Sequence, residues 1–159
     1  MTRFTVGSLA ENDVRVVFPL IREAIPGLTL PAWLRFVRQI GAVRPMGHAG
    51  IVVARRVGRT FPCGLFCYRV EQDLERGRVL TADHFVAVDL LDPSAVLDAL
   101  VHELEALGAR LGCAAIRGVV HGRQPALVGG LSAAGHALEA SLFGRTLPAE
   151  AAVSVAAAG

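Results

Sequence analysis

Residues 84–120, HFVAVDLLDPSAVLDALVHELEALGARLGCAAIRGVV, decide the fold. They read as an extended apolar segment, a tight turn, a helix, a glycine stop and a second extended segment. Asp92 is a good N-cap, and Pro93 suits the first helical position, where its missing N–H has no intrahelical partner. Leu97, Leu100, Val101, Leu104, Leu107 and Leu111 recur at helical spacing and form one apolar stripe, with Asp98, His102 and Glu105 opposite. Arg110 falls in the last turn, where the helix dipole favours a cation, and Gly112 supplies the left-handed stop. Residues 113–120 then form a strand parallel to the one that ends near Leu90, which makes a βαβ unit. Ligand phosphates often bind where such a helix begins, but the turn Asp92-Pro93-Ser94 has no glycine.

Upstream, residues 4–9 read as a short opening strand. A helix follows, with Val14, Val17, Phe18 and Ile21 on one face and Ser8 or Asn12 as its cap. Pro19 predicts a kink or a late start, and Pro26-Gly27 ends it. Pro31 opens a second helix, with Trp33, Val37 and Ile40 on one face and Gly41 as its stop. Residues 43–47 read as loop. Residues 49–57, 61–70 and 78–90 form an antiparallel meander with polar turns. Downstream, Pro125 opens a helix over 124–134, and 136–147 read as a final strand.

Composition bounds the answer further. A chain of 159 residues fits one domain, over residues 1–148, with 149–159 as a frayed tail. No apolar run approaches the roughly 18 residues of a membrane span, and the N-terminus does not resemble a signal peptide. A soluble cytoplasmic protein with no membrane partner is expected. All 16 basic residues are Arg, which points to a GC-rich bacterial genome. The net charge of +2 predicts no nucleic-acid partner. The charge is unevenly spread: 10 Arg against 3 acids in residues 1–70, 2 against 9 in 71–105, and 4 against 2 thereafter. Oppositely charged segments can neutralise each other within the fold or across a homodimer. Cys63, Cys67 and Cys113 lack metal-ligand spacing, and no metal is predicted. On a regular strand Cys63 and Cys67 share a face about 13 Å apart, too far for a disulfide, so all three are expected as free thiols.

This element order resembles the GNAT superfamily of acyl-CoA N-acyltransferases. The stretches ARLGCAAIRGVV (109–120) and LSAAGHALEASLFGRTL (131–147) carry the local likeness. The resemblance implies an α/β (α+β) fold: a mixed, mostly antiparallel sheet of six to seven strands with helices on both faces. It also implies that the fourth strand splays from the fifth, and that acetyl-CoA or another acyl-CoA enters the gap. The strand end at Val88 and Leu90 would bond the pantetheine, and Ala95, Val96 and Leu97 would receive the diphosphate. Gln124 stands near a position where many members carry Asn. The family's Arg/Gln-x-x-Gly-x-Gly loop would align with Asp92, Ala95 and Leu97, so its glycines are missing and a carboxylate takes the first position. The usual Tyr general acid falls near Leu131, and the one Tyr, Tyr68, belongs to the third strand. Asp83, His84 and Asp89 are the candidates for a general base. By strict alternation, Asp83 and Asp89 share a face with Phe85 and Ala87.

Two functions follow from the resemblance. One is transfer of an acyl group from acyl-CoA to the amine of a small molecule or peptide by direct attack on the thioester. The other is a catalytically degenerate binding or dimer-forming module that uses no acyl-CoA. Asp92, Leu97 and Leu131 favour the second.

Overall fold

The computed structural model describes residues 3–41 and 47–148. In chain order they form β1 (Phe4–Ser8), a 3-10 turn (Glu11–Asp13), α1 (Phe18–Ala24), α2 (Leu30–Ile40), β2 (Ala49–Arg56), β3 (Pro62–Asp73), β4 (Gly77–Ala87), α3 (Pro93–Arg110), β5 (Ala115–Gly118) and α4 (Pro125–Ala133). The strands lie in the order β1-β2-β3-β4-β5. The first four are antiparallel neighbours, and β5 runs parallel to β4 after the α3 crossover. The expected α+β architecture, with a mixed sheet and helices on both faces, is present.

Local chemistry explains the helix bounds. Asp92 Oδ1 accepts from the Ala95 amide at 3.0 Å and caps α3, and Gly112 closes it at φ 65°. Pro19 delays α1: the 3-10 turn comes first, and the helix starts at Phe18 with the proline in its first turn. Neither Ser8 nor Asn12 caps it; the preceding residue is Val17, without a side-chain bond. Thr29 caps α2, and Gly41 ends it at φ 61°.

Each face of the sheet has its own core. Phe66, Leu80, Phe85, Leu100, Leu104 and Leu127 pack under α3 and α4. Val17, Ile21, Trp33, Ile51, Leu65 and Cys67 pack under α1 and α2. Each such fully buried side chain contributes about 1.5–3 kcal/mol. The indole Nε1 of Trp33 donates to the Val14 carbonyl at 2.7 Å, so its one polar atom is satisfied inside.

Three expectations need correction. Five strands pair among the described residues, where six to seven were expected. The predicted final strand, 136–147, forms no strand. It leaves α4 through Gly135 at φ 90° and is tied to the β3–β4 turn by Arg76–Glu139, at 2.7 Å. Leu138, Leu142 and Phe143 stay exposed, so no sheet edge takes up its apolar residues. Cys63 and Cys67 do not share a face. An extra residue in β3 interrupts its pairing with β2 at Cys63, which turns Cys63 toward α3 while Cys67 faces α1 and α2. Both thiols are free and buried, and Cys113 is also free. The expected loop at 43–47 lies largely, and the tail at 149–159 wholly, outside the described residues.

The uneven charge resolves within the chain. Arg3, Arg56 and Arg69 from the basic segment meet Asp92, Asp89 and Asp83 from the acidic one at 3.6, 2.7 and 3.1 Å. Among the described residues no helix is long and apolar enough to cross a membrane.

Candidate active site at the β4 bulge

Strand β5 pairs with only the first half of β4. The register runs from Val79↔Ala115 to Ala82↔Gly118, and a last bond joins the Val119 amide to the Ala82 carbonyl at 2.8 Å. Beyond that rung the chain turns away through Gly122, at φ 68°, toward α4. On its other side β4 stays bonded to β3 as far as Gly64↔Ala87. Over residues 83–87 the edge of β4 that faces β5 therefore has no strand partner among the described residues. The sheet opens there as a wedge.

A β-bulge sits at the mouth of the wedge. Leu65 pairs with Val86 and Cys67 with Asp83, so Phe66 alone stands opposite both His84 and Phe85. His84 absorbs the extra residue at φ 53°, a left-handed conformation that is unfavourable for a side chain with a Cβ. The bulge overturns the strict alternation. Asp83, opposite Cys67, faces α1 and α2, and His84 joins Ile21, Trp33 and Cys67 on that side. Phe85 instead packs on Phe66 beneath α3, with ring centroids 5.3 Å apart.

The three candidate bases have different surroundings. Asp89 is fully engaged: Oδ1 accepts from the amides of Leu91 and Asp92 at 2.8 and 3.0 Å, and Oδ2 from Nε and Nη2 of Arg56 at 3.2 and 2.7 Å. Arg56 holds its carboxyl below the ordinary range. This carboxylate staples the β4–α3 turn to β2. Asp83 accepts from Arg69 at 3.1 Å. Arg69 also bonds Glu71, whose other oxygen accepts from the buried Thr81 hydroxyl at 2.6 Å. Thr81 and Arg69 together hold the Glu71 carboxyl below its usual value. His84 is half-buried, and burial lowers its pKa; Asp83 opposes that shift, and His121 and Arg69 reinforce it. A neutral imidazole at neutral pH is a proton acceptor.

His121, from the loop after β5, stacks on His84 with ring centroids 4.8 Å apart and planes within 5°. Pairwise spacing could not reveal this partner, 37 positions away. The signal was in the topology, because a residue just past β5 must lie beside the middle of β4. Asp83, His84 and His121 each bring one potential ligand atom within 4.8 Å of the others. Two imidazoles in parallel planes do not aim their in-plane lone pairs at one ion, so a metal would require one ring to turn.

The Val88 amide donates to the Cys63 carbonyl at 2.8 Å, and Leu90 is exposed in the turn. Val96 and Leu97 are buried in the α3 core, so only their backbone could meet a ligand; Ala95 is half-buried. Gln124 donates from Nε2 to the His121 carbonyl at 2.9 Å and ties that loop to the start of α4. Leu131 is buried over β5, with its Cδ1 3.2 Å from where a Cβ on Gly118 would stand. Tyr68 is buried on the α3 side, packed over Gly50, and burial raises its pKa. Burial pushes the Cys67 thiol far up as well, so no thiolate nucleophile forms there.

Known structures share this fold. The fold is that of the GNAT acetyltransferases. Glucosamine-6-phosphate N-acetyltransferase from Arabidopsis thaliana is similar with a TM-score of 0.71 at 13% identity, over 92% of this chain and 100% of that one. AAC(6')-Iy, in complex with the bisubstrate analog CoA-S-monomethyl-acetylneamine, gives 0.75 at 14% identity, over 92% and 100%. The aminoglycoside acetyltransferase meta-AAC0020, from an uncultured soil metagenomic sample, gives 0.71 at 11% identity, over 92% and 97%. At such identities the likeness is one of fold. No family model matches the chain, and no curated protein matches it.

Proposed function

We propose that this protein is an N-acyltransferase that moves an acyl group from acyl-CoA to the amine of a small molecule or peptide. The observation that carries this reading is the open edge of β4, with a neutral imidazole held at the bulge beside it. The free edge suits the amide-bearing arm of the acyl donor, which would add to β4 as a short strand. At the bulge the amine nitrogen attacks the thioester carbonyl. A C–N bond forms, the C–S bond breaks, the amine proton passes to His84, and the thiolate leaves as CoA. Backbone N–H groups that the bulge leaves out of the ladder would donate to the carbonyl oxygen as it gains charge.

The fit is poorer at the start of α3. The Asp92 carboxylate already occupies the Ala95 amide and repels a diphosphate, although Arg3, 3.6 Å away, offsets part of that charge. Two like charges about 4 Å apart cost on the order of 1 kcal/mol in water. Weak donor binding is therefore expected. The same carboxylate favours a second reading, a GNAT-shaped binding module without transfer chemistry. Calorimetry with acetyl-CoA separates the two. A donor at 100 times its dissociation constant stabilises the fold by about 2.7 kcal/mol. No heat and no thermal shift at millimolar acetyl-CoA would overturn the transferase reading.

A further inference from the structure

On the α1/α2 side of the bulge lies a cavity of about 120 Å³. It is open to solvent on one side, so a ligand can enter it. Its walls are Ile21 of α1, Ile25 and Leu28 of the connection, and Trp33 and Phe36 of α2. Its floor is Cys67 and His84. Among the described residues the imidazole is the one strongly polar group on this lining, and burial holds Cys67 as a neutral thiol. Among the described residues no carboxylate lines it; Asp83, the neighbour of His84, bonds Arg69 through Oδ2, and its Oδ1 lies 3.9 Å from His84 Nε2 at the edge of the floor.

We infer that the amine acceptor carries a compact apolar group, between a four-carbon alkyl and a phenyl ring in size, which fills this cavity while its nitrogen lies at His84. Size and lining together set that class. An apolar cavity of roughly 150 Å³ takes up benzene, and this one is slightly smaller. A second ammonium, as in a diamine or an amino sugar, would be buried without a counter-charge. The acyl chain of the donor is the competing occupant. The acceptor is favoured because His84, the proton acceptor, forms part of the cavity floor, so an amine bonded to it points its substituent inward. The donor approaches along the β4 edge that faces β5. The inference rests on the transferase reading for the fate of the amine, and its binding test does not.

Trp33 is the one tryptophan of the chain, and its ring lines the cavity. Its emission therefore reports entry directly. The full chain is titrated, without CoA, with n-alkylamines from ethyl to hexyl, with phenethylamine and with putrescine. The expected result is a saturable change for butyl, amyl and phenethyl amines and none for putrescine. Affinity should rise roughly fourfold per methylene until the cavity is full. Leu28→Phe should weaken amylamine about tenfold and move the optimum to shorter chains. Cys67→Ala should move it to longer ones; loss of stability alone produces neither shift. A flat chain-length series overturns the inference. So does saturation by hexanoyl-CoA with no response to amines, which would make the cavity an acyl pocket. If the amine series behaves as expected and acetyl-CoA does not bind, the apolar amine site stands and the transferase reading falls.

Discussion

At His84 the backbone pays for geometry. A non-glycine residue at φ 53° persists only where its surroundings over-determine it, here through β3 pairing on either side and the stack with His121. The return is an imidazole held on the α1/α2 side of the bulge and stacked on His121. His84→Ala should lower kcat about 10²- to 10⁴-fold with little change in the KM of acyl-CoA, read by steady-state kinetics. Asp89 behaves differently, because four bonds commit it to Arg56 and the turn. Asp89→Ala should lower Tm by several degrees in a thermal melt and slow transfer only in proportion to folded protein. A rate loss like that of His84→Ala with an unchanged Tm would make Asp89 the base instead. The sequence singled out both residues but could not rank them. The ranking depends on a bulge in one strand and an arginine 33 positions away.

Among the elements, α3 was the most legible, because its cap, stripe and stop are all local signals. Its closeness to the sheet was not legible. A Cβ on Gly64 would lie 2.5 Å from Val96 Cγ1 and 3.1 Å from Leu100 Cδ1, so β3 and α3 meet through a glycine. Gly64→Ala should cost about 1–3 kcal/mol by overpacking, measured in urea denaturation. The start of α3 tests the donor site. Asp92→Ser keeps a cap oxygen and removes the charge, so acyl-CoA should bind roughly fivefold tighter by calorimetry, which corresponds to about 1 kcal/mol. Widening the site through Leu97 instead would hollow the buried α3 core. The strand expected at 136–147 failed for a non-local reason. An extended segment becomes a strand only where a neighbour offers an edge, and β5 is four residues long. Likewise, no period-2 pattern marks the positions of bulges, so the faces of Cys63 and Asp83 were misassigned.

For the whole molecule, the basic opening and the acidic middle of the chain are joined by ion pairs just before β1 and on β2 and β3. That neutralisation was legible in outline from the charge distribution, although its partners were not. Stability should follow pH accordingly. Burial holds His84 below its ordinary 6.5, so the unfolded chain binds that proton more readily and stability falls as pH drops through 6.5. Glu71, held below 4.5 by Thr81 and Arg69, adds a second loss at lower pH. His84→Gln should remove the first step of the Tm–pH curve and leave the second. The fold class was legible through the order of elements, and the wedge only through the family resemblance that this order carries. The apolar cavity was not, because α1, α2, β3 and β4 each supply a wall from distant stretches of chain. The most direct measurement is release of free CoA thiol from acetyl-CoA with and without amylamine. Amine-dependent release that is lost in His84→Ala is the predicted result. Binding of both ligands with no thiol release at any pH from 6 to 9 would contradict acyl transfer at the β4 bulge.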